Sequence, residues 1–398
     1  MFWVLKYACC NFYVLLTTVS LLLGGMWLYA PLTYLLVVLV LGDRIFGEQL
    51  KDPPEANALF YDISLWLCLP QLIFLTFLVV WYVSPSNWFG FDGFLSFFFQ
   101  QRTTKFSSGL SLYYVFPLTL SVAFAYGMAG TNVAHELIHR TWSKFWVRTG
   151  RILLGFTSDT SFEIEHVWGH HNRIATPLDP ASAPRGKTFY SFFVRSLIEG
   201  NLSAFRLESE KLRKRKKSFW SVKNNRLLAG WLISAFWYLL FSAAGGLFGF
   251  VIFAMCSLGG KVLLELINYI EHYGLVRQPG EKVEARHSWN CNQSMSLYHL
   301  YNLPRHSHHH AAGHRPFWRL KSDMVAPTLP YGYLTMIVIA LFPKRFFKLM
   351  NPMVKDWDQR FATKAELALI ASANDSNGSD DFKNYRLEAD QICYDEVS

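Results

Sequence analysis

Residues 227–260 read LLAGWLISAFWYLLFSAAGGLFGFVIFAMCSLGG and contain no Asp, Glu, Lys or Arg. A transmembrane helix needs about 20 predominantly apolar residues, so the stretch is too long for one span. Gly245 and Gly246 break it near the middle, which predicts a hairpin with arms of about 227–244 and 247–270. Three other intervals are equally free of charged residues: 7–42, 63–91 and 106–135. Gly24, Gly25 and Pro31 divide the first into arms of about 8–25 and 28–43, and the other two give spans at about 63–83 and 109–131. The predicted fold is therefore an all-α polytopic membrane protein with six transmembrane helices. Residues 1–371 form its single domain. The polar tail 372–398, which contains NDSNGSDD, reads as disordered. The stretch 325–347 is apolar but interrupted by Pro327, Pro330 and Pro343, and reads as an interfacial or buried segment. Only Lys6 precedes the first apolar stretch, which is longer than a signal peptide's apolar region, so no cleavable leader is expected.

Composition points the same way. Of 398 residues, 52% are hydrophobic and 17% charged, against about 25% charged in soluble domains. This excludes a disordered chain, a coiled coil and an ordinary cytosolic enzyme. Lys and Arg total 38 against 29 Asp and Glu, a formal charge of +9. Seventeen of the 38 lie in 131–226 and fifteen follow the last span, whereas the connecting loop 84–108 has only Arg102 and Lys105. The positive-inside rule puts both rich regions in the cytoplasm. No nucleic-acid recognition motif accompanies the charge, so no nucleic-acid partner is expected. The six cysteines include no Cys-x-x-Cys pair, which excludes a zinc ribbon or a fused iron–sulfur module.

All 13 histidines lie between positions 135 and 314, within the two regions assigned to the cytoplasm. His135 and His139 are spaced i, i+4; His166, His170 and His171 are i, i+4, i+5; His306, His309 and His310 are i, i+3, i+4. Residues three or four apart on a helix share a face, so each cluster is expected to present its imidazoles to a common point. A ninth candidate, His272, ends the last span. A lone His-x-x-x-His is a weak signal and a His run is often a surface patch, but three clusters on one side of one membrane are neither. Eight or more ligands exceed what one ion needs, so two ions are implied. Glu265 lies two turns below His272, and a carboxylate inside a span is costly and functional by default. It is expected to orient a ligating imidazole through the other ring N–H. Glu136, Glu165, Glu271, Asp179 and Asn268 are further supporting candidates.

Imidazole suits iron, copper, zinc and nickel. Structural zinc would use four ligands in a closed site, and a two-metal hydrolase would use bridging carboxylates. An imidazole-rich pair at a membrane face fits redox-active iron and O2, with a bilayer-dissolved substrate entering between helices and electrons arriving from an external donor.

Four stretches carry a resemblance: HELIHR (135–140), EHVWGHH (165–171), NYIEHYG (268–274) and PRHSHHHA (304–311). They are similar to the four histidine motifs of the integral-membrane alkane hydroxylases, within the membrane fatty-acid desaturase/hydroxylase superfamily. The third motif separates that group from the desaturases. DRIFGEQLKDPPE (43–55), ATPLDPASAPRG (175–186) and HSWN (287–290) match as well, so the resemblance covers roughly 40–355. It implies six transmembrane helices, two non-haem iron ions and a rubredoxin-type or ferredoxin-type donor. By motif, the iron ligands are His135, His139, His166, His170, His171, His272, His306, His309 and His310, leaving His287, His299, His308 and His314 outside the centre. The alkane enzymes usually have Asn-Arg where Val167 and Trp168 stand, Asp at His308, and Gly-His-Lys at Ile138, His139 and Arg140. The Val-Trp pair, ASAPRG and GNLSAF (200–205) are closer to the xylene monooxygenase hydroxylases, which oxidise methyl groups on aromatic rings. Either branch implies hydroxylation of an unactivated methyl group to a primary alcohol, in an inner-membrane enzyme of a bacterium. The alternatives are a lipid desaturase or hydroxylase of the same superfamily and, more remotely, a non-catalytic metal transporter or sensor. The basic run KLRKRKK (211–217) reads as a headgroup-facing segment, with docking of an acidic electron donor as the competing role.

Overall fold

The computed structural model describes residues 5–53, 58–87, 90–93, 97, 112–322, 325–375, 380–383 and 385. Among them the regular structure is helical, apart from two isolated β-bridges. Most of loop 84–108, with Arg102 and Lys105, lies outside the described residues.

Among the described residues, four helices are long and apolar enough to cross a membrane: α2 (Gly25–Phe46), α3 (Ala58–Val83), α4 (Tyr113–His139) and α8 (Arg226–His272). Helix α1 (Cys9–Leu23) is apolar but shorter. The glycine breaks fall where the sequence puts them. Gly24 (φ 66°) and Gly25 (φ 55°) separate α1 from α2. Within α8, Gly245 (φ −131°, ψ 16°) and Gly246 (φ 57°, ψ −143°) leave helical geometry and divide it into two arms. The positive φ at Gly246 suits a residue without Cβ. Beyond the turn the arms touch backbone to backbone, and a Cβ on Gly249 would collide with the Phe241 carbonyl oxygen. Helix α4 runs past the predicted end of its span, so HELIHR is its last turns rather than a separate element.

Buried tyrosines tie the apolar helices together. Tyr13 donates to the Ser121 carbonyl (3.1 Å), Tyr82 to the Leu21 carbonyl (2.9 Å), and Tyr126 meets Thr76 (2.8 Å). Each hydroxyl satisfies itself across a helix pair, as burial requires.

On one end of these helices sits a polar layer: α5 (Lys144–Gly155), the helical turns of 162–173 that form α6, and α7 (Phe189–Lys214). It continues through α9 (Ser294–His299), α10 (His306–Ala311), α11 (Tyr333–Ala340), α12 (Pro343–Arg360), α13 (Lys364–Asp375) and α14 (Asp380–Lys383). Caps set the starts. Thr188 accepts from the Ser191 amide (3.3 Å) before α7, and Asn225 accepts from the Leu228 amide (3.1 Å) before α8. Lys211, Arg213 and Lys214 end α7, where the helix dipole favours cations.

Two of the three ancillary motifs, 43–55 and 175–186, brace this layer. Asp43 accepts from the Met295 and Ser296 amides, so α2 caps α9. Buried Arg305, just before α10, holds Asp52 and the Gln49 and Lys51 carbonyls. Arg185 forms a two-pronged pair with Asp358 (2.9 Å each) and reaches Asn374 and the Gly274 carbonyl. The 325–347 segment holds α11 and the start of α12, with Tyr333, Met336, Ala340 and Phe346 buried and Val325, Tyr331, Val338 and Phe342 exposed.

Two short pieces of the tail are helical where its composition reads as disordered. Residues 372–375 and 380–383 are helical, with Asn374 and Phe382 buried. Polar composition misled because Asn374 answers a buried arginine rather than solvent. Residues 386–398 lie outside the described residues.

Candidate metal centre

The nine expected histidines converge in two groups. His135, His139, His166, His171 and His309 form one, and His170, His272, His306 and His310 form the other. Within each group the ligand nitrogens lie within 4.8 Å of one another. The groups adjoin, with the His171 and His310 rings 4.4 Å apart.

Each motif was expected to serve a common point, and two do not. His166–His170 forms a wide turn with i→i+5 bonding, which brings residues five apart over each other. His166 and His171 therefore meet, Nε2 to Nε2 at 3.1 Å, while His170 swings to the other group. On α10, His306 and His310 meet at 2.8 Å through Nε2 and join His272, while His309 turns to His171 at 3.2 Å. Both motifs thus feed both groups. His135 and His139 stay together in the first.

The donor set fits ions. Imidazole nitrogens face one another at hydrogen-bond distance across several helices, and the buried Nε2 atoms of His135 and His139 have no hydrogen-bond partner among the described residues. An unsatisfied buried polar atom costs about 1–3 kcal/mol, and a cation shared between the nitrogens removes that cost. Burial, reinforced by neighbouring imidazoles, holds His166, His171, His306, His309 and His310 well below their usual titration range. They are neutral, as a ligand must be. His170 differs. Burial alone would lower it, but the Asp179 carboxylate 2.8 Å from Nδ1 outweighs burial and the net shift is upward.

The supporting residues take distinct places. Asp179, itself fully buried, also accepts from Ser182 (2.6 Å). Glu271 lies 3.1 Å from His306 Nε2 and accepts from Tyr333. Glu165 binds Arg173 and the His170 amide, fixing backbone rather than a ring. Glu136 binds Arg140 and the Phe317 amide. Glu265 does not reach an imidazole. Its oxygens go to Lys261, Ser196 and Asn268, because the ammonium one turn away on its own helix is the nearer partner. The other histidines lie outside both groups: His287 pairs with Glu366, His299 with Tyr34, His308 meets the Lys321 amide, and His314 is exposed. Two contributors were not anticipated. Phe162 stacks on His166 at 4.4 Å, and its spacing four residues earlier was a usable signal. Tyr333 arrives from a distant segment with no such signal.

A mainly apolar cavity of about 800 Å³, its open mouth included, abuts both groups. His135, His166 and His306 border it, with Met128, Leu263 and Ile337 among its walls. Its lining includes neither Val167 nor Trp168. Trp168 instead faces outward, 48% exposed, under the Arg226 guanidinium at 5.9 Å. It borders a broad cationic groove carrying Lys144, Arg148, Arg151, Lys214 and Arg215.

The sequence profile of the fatty acid desaturase family matches residues 111–340. The chain is 39% identical over 255 residues to alkane 1-monooxygenase of Acinetobacter baylyi, covering 63% of this chain and 62% of that protein. The match thus spans under two thirds of that relative's length. It is 31% identical over 330 residues to alkane 1-monooxygenase of Ectopseudomonas oleovorans, covering 79% and 75%. It is 29% identical over 360 residues to the xylene/toluene monooxygenase hydroxylase component of Pseudomonas putida, covering 89% and 90%.

Proposed function

The chain belongs to the fatty acid desaturase family, in the branch of the alkane and xylene monooxygenases, and from that premise we propose that it is a membrane di-iron monooxygenase. It converts a methyl group of a hydrophobic hydrocarbon, an alkane or a methyl-substituted arene, to a primary alcohol with O2. The five-histidine group holds one ion and the four-histidine group the other. Two non-haem iron ions, when bound, supply the activation of O2 that side chains cannot.

The chain's own residues do the remaining work. Met128, Leu263 and Ile337 give the hydrocarbon a dry wall, so the methyl group exchanges bilayer for protein and meets no bulk water. The methyl is held where His135, His166 and His306 border the cavity. Asp179 accepts the Nδ1 proton of His170 and so keeps Nε2 free and aimed at its group. Electrons come from an external carrier protein of the rubredoxin or ferredoxin type. The protein sits in the inner membrane of a bacterium with six spans and its metal centre on the cytoplasmic face. The glycine breaks at 24–25 and 245–246 support the six-span reading, as the clustered Lys and Arg support the orientation.

One observation carries the proposal: nine imidazoles in two adjoining groups, open to an apolar cavity. The test is iron quantification on the purified protein, then product identification with octane and a methylbenzene offered together. Two irons per chain and primary alcohols are expected. A double bond or mid-chain alcohol on a fatty acyl chain would instead establish the lipid-modifying reading that the family's name favours. Retained activity and two bound irons in His272→Ala would refute that residue's role as a ligand.

A further inference from the structure

A second cavity, of about 390 Å³ including its open mouth, reaches the same centre and is lined by more charged groups. Phe162, His166 and Asn268 line both cavities, so these side chains form the partition between them. The second cavity also touches His170, and thereby one histidine from each group. Its other walls mix charged and polar side chains with Pro180, Ala181 and Gly200. Asp159, Lys261 and Glu265 lie inside, and exposed Asn201 on α7 stands at its edge.

Those three charged side chains form one chain of hydrogen bonds. Lys261 donates to Asp159 (2.8 Å) and to Glu265 (2.7 Å). The second Glu265 oxygen accepts from Ser196 (2.7 Å) and from Asn268 (3.3 Å). The connection thus runs from Asp159 to Asn268 on the partition. All three charged groups are buried, with side-chain exposures of 4%, 12% and 3%. Two carboxylates against one ammonium leave a negative balance where α8 meets the polar layer. A buried ion cluster is weak evidence of stabilisation, since packed apolar residues serve a fold as well or better. Ionisable groups kept at such depth mark proton or ion routes.

The chemistry proposed above has a matching need. Hydroxylation balances as RH + O2 + 2e⁻ + 2H⁺ → ROH + H2O. One C–H and the O–O bond break, C–O and O–H bonds form, and the electrons come from the external carrier protein. Protons must reach the centre while the hydrocarbon cavity stays mainly apolar, and the polar groups on its wall, Glu271 and Tyr333 among them, are engaged with each other.

We propose that this second cavity is the proton entry to the metal centre and that Asp159, Lys261 and Glu265 form its relay, with Asn268 orienting Glu265 at the inner end and water carrying the proton on to the centre. Water has both the room and the polar partners to fill it. The relay feeds the centre from the α7 side, apart from the hydrocarbon. Glu265 is a positioning and proton-carrying residue that touches neither substrate nor ion. The proposal rests on the monooxygenase reading.

The test compares full-length wild type with Glu265→Gln, which keeps shape and loses the carboxylate, and with Asp159→Asn. Four quantities are read: bound iron, alcohol formed per O2 consumed, solvent deuterium isotope effect on turnover, and the infrared carboxyl bands of metal-free protein on transfer to D2O. In Glu265→Gln we expect unchanged iron, turnover lower by about 10²-fold, a larger isotope effect, and O2 diverted to H2O2. In wild type, a carboxyl or carboxylate band absent from the variant shifts promptly in D2O, reporting water in the cavity. Undiminished coupled turnover with an unchanged isotope effect would overturn the relay. So would loss of iron in step with activity, which marks a purely structural cluster, or a buried carboxyl that does not respond to D2O. If wild type makes no alcohol, the monooxygenase reading fails by itself, and the infrared arm still decides whether the cavity conducts water. If Glu265→Gln does not fold, Asp159→Asn carries the same comparison.

Discussion

Asp179→Asn should weaken one metal position and spare the other. The carboxylate is fully buried, accepts from His170 Nδ1 at 2.8 Å and from Ser182 at 2.6 Å, and has its closest histidine contact in the four-histidine group. Hydrogen bonds to a charged partner are worth about 1.5–3 kcal/mol. Loss of such a support typically costs 10–100-fold in metal affinity, about 1.4–2.7 kcal/mol. Asparagine is nearly isosteric, so the fold is retained and the effect is electrostatic. The assay is chelator competition on purified protein, with iron per chain followed as chelator rises. Wild type should release its ions over one range. The variant should lose the first ion at 10–100-fold lower chelator and the second at the wild-type concentration. Equal weakening of both ions, or no change in either, would refute the idea that Asp179 acts through His170 alone.

Other outcomes follow from the same geometry. Arg185→Ala strands the fully buried Asp358 carboxylate, and breaking a buried pair costs about 3–5 kcal/mol, so detergent-solubilised protein should lose that much against denaturant; a loss under 1 kcal/mol would contradict it. Burial would raise Glu366, but His287, Arg286 and the Thr363 amide outweigh it and bring its carboxyl down to about 2. A depressed carboxyl stabilises the fold above its ordinary value of 4.5, and that contribution is lost as pH falls toward about 2. His287, lowered chiefly by burial, adds a loss in the same direction that begins near its ordinary 6.5. The melting temperature should therefore drop on acidification from pH 7 to 3, and less steeply in Glu366→Gln; parallel curves would refute this. Lys214→Glu with Arg215→Glu, both on the cationic groove, should slow donor-driven reduction about tenfold at low salt and leave dithionite reduction unchanged. Equal rates with the donor would leave the groove as a headgroup-facing surface.

The sequence made some of this legible and hid the rest for definable reasons. Charge-free length and paired glycines locate the hairpin turns, because hydrocarbon thickness and glycine's freedom at positive φ are local constraints. Histidine spacing points to eight of the nine convergent imidazoles, whereas His272 has no partner at helical spacing and comes from its motif. The division into five and four was not legible. It depends on the wide turn at His166–His170, whereas spacing arguments assume regular α-helix. The partner of Glu265 was hidden too, because two turns of helix point equally at His272 and away from it, and only the fold shows Lys261 in the way. Trp168 is instructive in another sense. It distinguishes the aromatic-methyl branch in sequence, yet faces the cationic groove and not the hydrocarbon cavity.

The second arm of α8 has a consequence for where the chemistry happens. From the break at Gly246 to His272 the helix rises about 39 Å at 1.5 Å per residue, against a hydrocarbon core of about 30 Å. Under the six-span arrangement, with the turn at the far boundary, the imidazoles stand several ångströms past the oily interior, at the level of the lipid heads. An oil-soluble molecule must then be drawn upward, out of its preferred solvent, before it reacts. Its alcohol is released at the depth where a new hydroxyl group finds water.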